Sequence, residues 1–260
     1  MKAVARIGAL ALIAALGAFA ARAQIAEADR KSGSAFMSAQ TQQMQRDDGA
    51  NPAMLSALDG ESLWKAKTGG AAKSCADCHG EAQTSMKGVA ARYPTFNEAS
   101  QRPIDLQGRI NLCRQDQQKA TPLAPESRDL LALSAFIGLQ SRGMPTAPPD
   151  DQRLTPFRER GRALWNQRMG QLNFSCAQCH DDNWGKHLGS APIPQAHANA
   201  YPIYRLEWQG MGSLQRRLRN CMSGVRAQAF PYGAQEFVEL ELYLAQRARG
   251  MAVETPGVRP

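Results

Sequence analysis

The sequence predicts a mainly α-helical protein built from two tandem domains related by internal duplication. Three observations carry that reading. A collinear series of residues recurs about a hundred positions along the chain, and each copy closes on an amphipathic stretch at helical spacing. No run alternates apolar and polar residues long enough to argue a sheet.

The repeat is explicit. Gly60, Leu63, Trp64, Cys75, Cys78 and His79 return 101 positions later as Gly161, Leu164, Trp165, Cys176, Cys179 and His180. Tyr93-Pro94, Arg109 and Cys113 return at an offset of 108 as Tyr201-Pro202, Arg217 and Cys221. Arg142-Gly143-Met144 returns at 107 as Arg249-Gly250-Met251. A seven-residue insertion between His180 and Tyr201 explains the first change of offset.

Each half then reads alike. A helix with a Leu-Trp pair precedes each cysteine motif, over Glu61–Lys67 and Arg162–Arg168. The Arg-x-x-x-Cys stretches predict a second helix, Asp105–Gln117 and Leu214–Ser223. A third carries a core-facing stripe, Leu130, Leu133, Phe136 and Ile137 in one half and Phe237, Leu240, Tyr243 and Leu244 in the other. Between the halves, prolines 145, 148, 149 and 156 exclude regular helix. The expected organisation is an N-terminal leader (1–23), a partly helical Gln-rich arm (24–50), a first domain (51–143), a Pro-rich linker (144–156) and a second domain (157–260) ending in an extended tail from Val253.

Lys2 and Arg6 precede an uncharged run, Ile7–Ala20, and the A-x-A site Ala21-Arg22-Ala23 follows. That order is a secretory signal peptide with cleavage after Ala23. The run is about 14 residues, short of the roughly 20 that a membrane span needs. An uncleaved anchor is the alternative, and the small residues at the exit weigh against it. Cleavage removes Lys2, Arg6 and Arg22 and no acid, leaving +5 of the chain's +8. Arg216, Arg217 and Arg219 form the densest basic cluster, with no aromatic ladder beside it, so nucleic acid is not the expected partner. The balance suits small anions or an acidic partner. Export and an even number of cysteines point to an oxidising compartment, the bacterial periplasm, with no membrane span after cleavage.

Cys75-Ala76-Asp77-Cys78-His79 and Cys176-Ala177-Gln178-Cys179-His180 carry the chemistry. In C-x-x-C-H the two thiols add across the vinyl groups of a haem and the histidine becomes its proximal iron ligand. Structural zinc would need a second cysteine pair to complete four ligands. A thioredoxin-like pair would sit beside a βαβ pattern, and a disulfide framework suits smaller, loop-rich domains. Chance supplies about 0.002 such motifs in a chain of this composition. Two at equivalent places of a repeat therefore predict two covalent c-type haems, held by Cys75, Cys78, Cys176 and Cys179, with His79 and His180 on iron.

Cys113 and Cys221 remain, one in each half. A sixth iron ligand could come from Met144 and Met251 or from these two cysteines, and spacing favours the thiolates. A Cys113–Cys221 disulfide or two buried thiols is the plainer alternative. Arg109 and Arg217 each lie four residues before the cysteine, on the same helical face. There a guanidinium would favour the thiolate and hold a small anion beside it, or else serve a haem propionate or the surface. His187 and His197, in the Pro-rich insertion, read as surface residues rather than ligands.

With these residues in view, the chain resembles the SoxA family, the larger subunit of the SoxAX cytochrome of bacterial sulfur oxidation. The resemblance covers essentially the whole mature chain. Asn51-Pro52 through Gly60-Glu61-Ser62-Leu63-Trp64, Tyr201 through Gly210 with Arg217 and Cys221, and the tail Glu254–Pro260 are its most telling stretches. It implies two cytochrome c-like domains and a heterodimer with a small monohaem cytochrome, SoxX. It also implies an L-cysteine S-thiosulfotransferase activity, in which thiosulfate is joined oxidatively to a cysteine of the SoxYZ carrier with release of two electrons. The family's catalytic cysteine, the distal ligand of the C-terminal haem and the bearer of a persulfide, maps onto Cys221. Its substrate-binding arginine maps onto Arg217. Cys75, Cys78, His79 and Cys113 are all present, so the resemblance implies a dihaem member with Cys113 on the first iron. Two other functions fit the same motifs: a thiosulfate dehydrogenase that releases tetrathionate, and a non-catalytic dihaem electron carrier. The motif Arg-x-x-x-Cys occurs in both halves and by itself does not say which haem is catalytic.

Overall fold

The structure is a computed structural model that describes residues 25–260. The expected leader and its A-x-A site lie outside the described residues. Among those residues no helix is long and apolar enough to cross a membrane.

Helix α1 (Ala39–Arg46) belongs to the arm. The first half follows with α2 (Ala53–Lys65), α3 (Ala76–His79), α4 (Ala82–Ser85), β1 (Thr95–Asn97), β2 (Arg102–Ile104), α5 (Leu106–Asp116) and α6 (Arg128–Leu139). The second half runs α7 (Thr155–Asn166), α8 (Cys176–His180), β3 (His187–Leu188), β4 (Ala191–Pro192) and β5 (Ile203–Arg205). It continues with β6 (Gly210–Gly212), α9 (Leu214–Gly224), α10 (Gln235–Arg247) and β7 (Gly257–Arg259).

In each half the Leu-Trp helix packs on the third helix, α2 on α6 and α7 on α10. The crossing is set by Gly60 and Gly161. A Cβ at Gly60 would lie 2.1 Å from the Ala132 carbonyl oxygen, and one at Gly161 2.0 Å from that of Glu239, so any side chain would push the helices apart. The predicted stripes become the two cores. Leu130, Leu133, Phe136 and Ile137 pack with Trp64, Met86 and Ile110. Phe237, Leu240, Tyr243 and Leu244 pack with Trp165, Ala177 and Met222.

Several elements differ from the sequence reading. The Leu-Trp helices start eight and seven residues earlier than predicted and stop sooner, at Lys65 and Asn166. Ala53, Ala57 and Gly60 extend the buried face of α2 with side chains too small to mark an apolar stripe. Pro156 sits in the first turn of α7, where its missing N–H breaks no helical bond, so the linker ends in helix. Small sheets are present: β1 pairs with β2, β3 with β4, and β5 lies between β6 and β7. Strands of two or three residues are too short to leave an alternation in the sequence.

The halves meet along a ribbon with approximate two-fold symmetry. Gly143 and Val253 exchange with Gly250 and Thr146: Gly143 N–H donates to Val253 O and Gly250 N–H to Thr146 O, both at 2.8 Å. Val253 N–H donates to Met144 O and Thr146 N–H to Met251 O, again at 2.8 Å. Asp105, which caps α5 through Gly108 N–H at 2.7 Å, also accepts from Gln215 Nε2 of α9 at 3.1 Å. The two cysteine-bearing helices are thus tied across the seam.

The arm and the tail both pack on the second half. Lys31 N–H donates to Gln195 Oε1 at 2.6 Å, and Arg30 Nη1 to Arg249 O at 2.9 Å. The tail is extended as predicted, and its strand β7 runs parallel to β5.

Candidate active site

The C-x-x-C-H residues of the second half begin helix α8, whose N-terminus is closed by a capping box between Ser175 and Gln178. That short turn puts Cys176, Cys179 and His180 side by side. The His180 ring lies against Trp165 at 5.7 Å, as His79 lies against Trp64 at the same distance. His180 Nδ1 is 2.7 Å from the Pro194 carbonyl oxygen. A carbonyl only accepts, so the proton is on Nδ1 and the Nε2 lone pair is left for an iron. Pro194 comes from the inserted segment of the second half.

Helix α9 brings Cys221 to this histidine. Ser213 caps the helix through Arg216 N–H, and four residues separate Arg217 from Cys221 on one face. The Cys221 thiol hydrogen-bonds with His180. Burial pushes this thiol up, but the His180 hydrogen bond and the Arg217 charge outweigh it and hold the group down at about 7. Arg205 adds a smaller pull in the same direction. Tyr201 completes the group, with Arg217, Arg259 and Arg205 acting on its phenol, which burial pushes up.

The first half repeats the set with weaker charge. Cys113 lies near Cys78 and Arg109, and Arg109 hydrogen-bonds the Tyr93 phenol. Burial pushes the Cys113 thiol up, Arg109 only partly offsets this, and Asp116 adds to the rise. All six cysteines are free. Cys113 sits with the first motif and Cys221 with the second, so the disulfide alternative is not realised. The backbones of Met144 and Met251 lie in the seam ribbon, and the Cys221 sulfur faces His180.

These donors fit haem c. Each C-x-x-C pair is unbridged, and burial keeps the Cys75, Cys176 and Cys179 thiols neutral, Cys176 up to about 12. Neutral sulfurs suit thioether attachment. A histidine with its Nδ1 proton engaged and a thiol facing it suit the two axial positions of an iron.

The family comparison decides the identity. The family model described as "SoxA/TsdA, cytochrome c domain" matches residues 59–146 and again 160–253. The chain belongs to this family. The SoxA subunit of the L-cysteine S-thiosulfotransferase of Pseudaminobacter salicylatoxidans is 39% identical over 229 residues, covering 88% of this chain and 80% of the relative. The corresponding subunit of Paracoccus pantotrophus is 36% identical over 88% of this chain and 78% of its own length. The crystal structure of SoxXA from P. pantotrophus matches with a TM-score of 0.86 at 34% identity, covering 89% of this chain and 87% of that one. The protein is therefore a mainly α cytochrome c of this family, with haem c as its cofactor.

Two histidines behave differently from each other. His187 is exposed on the β3–β4 hairpin, as predicted. His197 is buried, 6% exposed, with Nε2 3.2 Å from Gln195 Oε1. Burial, with Arg247 and Arg30 nearby, pushes it down to about 4. The sequence reading of His197 as a surface residue fails because the arm covers it, anchored through Gln195. A second feature went unread. Behind Trp165, Asp181 accepts from Trp165 Nε1 at 2.7 Å and pairs with Arg247 at 2.7 Å, both side chains at most 10% exposed. Arg247 also lies over the Trp165 ring at 4.5 Å. The first half has Gly80 and Gln140 at those places, so the repeat offered no signal for the pair.

Proposed function

We propose that this chain is the haem-bearing subunit of an L-cysteine S-thiosulfotransferase, acting on thiosulfate and on a cysteine of a SoxYZ-like carrier. The observation that carries the reading is the Cys221 sulfur, facing His180 of the second C-x-x-C-H motif and set beside Arg217 on the same face of α9. The names of the relatives support the same activity. We assign two haems c, one to Cys75, Cys78, His79 and Cys113 and one to Cys176, Cys179, His180 and Cys221, with the second catalytic. The domain limits that go with this are 51–143 and 157–260, and the exported chain starts after Ala23, in the periplasm. A SoxX-like monohaem cytochrome is its expected partner, in keeping with the SoxXA match.

In the overall reaction a carrier thiol and thiosulfate form one S–S bond and release one proton and two electrons. Haem c supplies one-electron oxidation when bound. The chain's own residues do the rest. Arg217 attracts and orients the thiosulfate dianion, using the planar fork that a guanidinium offers to oxyanions. The Cys221 sulfur is the group that would form an S–S bond with the sulfane sulfur of thiosulfate, the sulfonate retained and two electrons withdrawn; the carrier thiolate then attacks that sulfane sulfur and releases the Cys221 thiolate.

Product analysis tests the reading. The haem-loaded protein, with its partner cytochrome, an electron acceptor, carrier and thiosulfate, should give a thiosulfonated carrier cysteine by mass spectrometry. Cys221→Ala should abolish it while Cys176 and Cys179 still hold haem. Free tetrathionate would assign a thiosulfate dehydrogenase instead, and no thiosulfate chemistry would leave an electron carrier.

A further inference from the structure

Arg205 ends strand β5, opposite Gly210 of β6. It shares the Trp208 ring with Arg216 of α9, the residue before Arg217 and five before Cys221, and its charge acts on the Tyr201 phenol. Its side chain is only 16% exposed, and two groups hold it there. Arg205 Nε and Nη2 both bond Glu207 Oε2, at 2.8 and 2.7 Å, and the guanidinium lies over the Trp208 ring at 5.3 Å. Trp208 is itself fixed. It rests on Gly212, where a Cβ would come within 2.3 Å of the ring, and the Arg216 guanidinium lies over it at 4.2 Å. Arg216 Nη1 in turn donates to Met211 O at 3.1 Å.

The duplication supplies a control. The ribbon β1–β2 repeats β5–β6 at the offset of 108, with Asn97 paired to Arg102 as Arg205 is paired to Gly210. Yet Arg205, Glu207, Trp208 and Arg216 stand where the first half has Asn97, Ala99, Ser100 and Gly108. Tyr93, Arg109 and Cys113, by contrast, are kept. The whole assembly is therefore dispensable for a frame that presents cysteine, arginine and tyrosine together. It is present only around Cys221.

A lone arginine neutralises half of a dianion. Burying a second guanidinium near the same sulfur costs desolvation unless an anion shares it, and Glu207 is too exposed, at 61%, to fill that role alone. Glu207 engages Nε and Nη2 and leaves Nη1 with no hydrogen bond among the described residues. The orientation is thereby fixed with one terminal nitrogen to spare.

We propose that Arg205 is a second substrate-binding residue: with Arg217 it grips the sulfur oxyanion dianion at Cys221, and Glu207 and Trp208 are the residues that position it. This rests on the thiosulfate reading above and adds to it a two-arginine basis for choosing dianions.

The test is thiosulfate binding by equilibrium dialysis, with steady-state transfer measured in parallel, on the haem-loaded heterodimer. Arg205→Asn, which installs the first-half residue, should weaken binding and raise KM by roughly ten- to a hundredfold, the loss of one charge-assisted contact. Arg205→Lys should recover part of it, keeping charge but not the fork. The visible spectrum, which reports iron ligation, should stay unchanged in both. Glu207→Gln should raise KM by a smaller factor at constant kcat. Binding and KM of Arg205→Asn within twofold of the parent would overturn the proposal while leaving the transferase reading intact. Conversely, a parent protein that binds thiosulfate through Arg205 but transfers nothing would sink the transferase reading and leave this site standing. A parent that does not bind thiosulfate at all overturns both.

Discussion

Cys113 and Cys221 stand at equivalent places in a duplicated frame, yet the charge around them differs. Each has an arginine four residues earlier, a tyrosine beside that arginine and a histidine stacked on tryptophan. Around Cys113 burial and the acid Asp116 push the thiol up, and Asn97 stands at the position that matches Arg205. Around Cys221 the same positions carry Arg205 and Gly224, and the thiol is held down at about 7. Behind the proximal histidine, the second half has the buried Asp181–Arg247 pair where the first has Gly80 and Gln140. The frame common to both halves is what a haem requires. The added positive charge is what a reacting sulfur and an anionic substrate require.

Changes at the positions where the halves diverge test this contrast, the largest expected effect being on stability. Arg247→Gln gives the second half the residue of the first and strands Asp181 as a buried charge. It should cost about 3–5 kcal/mol, read as a lower urea midpoint of the haem-loaded protein. Gln140→Ala should cost under about 1 kcal/mol, since it loses one bond to Phe136 O. Similar losses for the two variants would mean the buried pair adds nothing specific to the second half.

Next is the pair of arginines. Arg217→Ala should lose one charge-assisted contact, about 1.5–3 kcal/mol, or roughly ten- to a hundredfold in kcat/KM for thiosulfate. Arg109→Ala should change it by less than about threefold. Equal losses would show that both halves are catalytic.

The smallest effect is pH dependence. His197 is held below its ordinary 6.5, at about 4, so the folded protein binds fewer protons than the unfolded chain between those values. Its contribution is full above 6.5 and is lost as pH falls toward 4, about 2 kcal/mol by pH 5. His197→Gln should flatten that decline in urea titrations at pH 7 and pH 5. Val89 occupies the matching place in the first half, and Val89→Ala should leave the pH slope as it was.

The duplication, the core stripes and the Arg-x-x-x-Cys helices were legible because each is a local pattern, as are the two C-x-x-C-H motifs. Helical periodicity and fixed spacing act over a few turns, and the repeat displays each pattern twice. Helix starts were misread where alanine and glycine, not large apolar residues, form the buried face. The short strands left no periodicity at all.

What the sequence determined by itself is the set of groups: which sulfurs, histidines and arginines stand at matched places, and therefore the cofactor chemistry. Tertiary structure decided how they differ. Arg205 comes beside the helix that carries Cys221 only because β5 turns back through β6 into α9, and β7 arrives from the far end of the chain to flank that strand. His197 and Asp181 are buried by contacts with the arm and α10, at separations from about 60 to more than 160 residues. Charge and burial are sums over neighbours in space, and residues so far apart become neighbours only once the chain has folded.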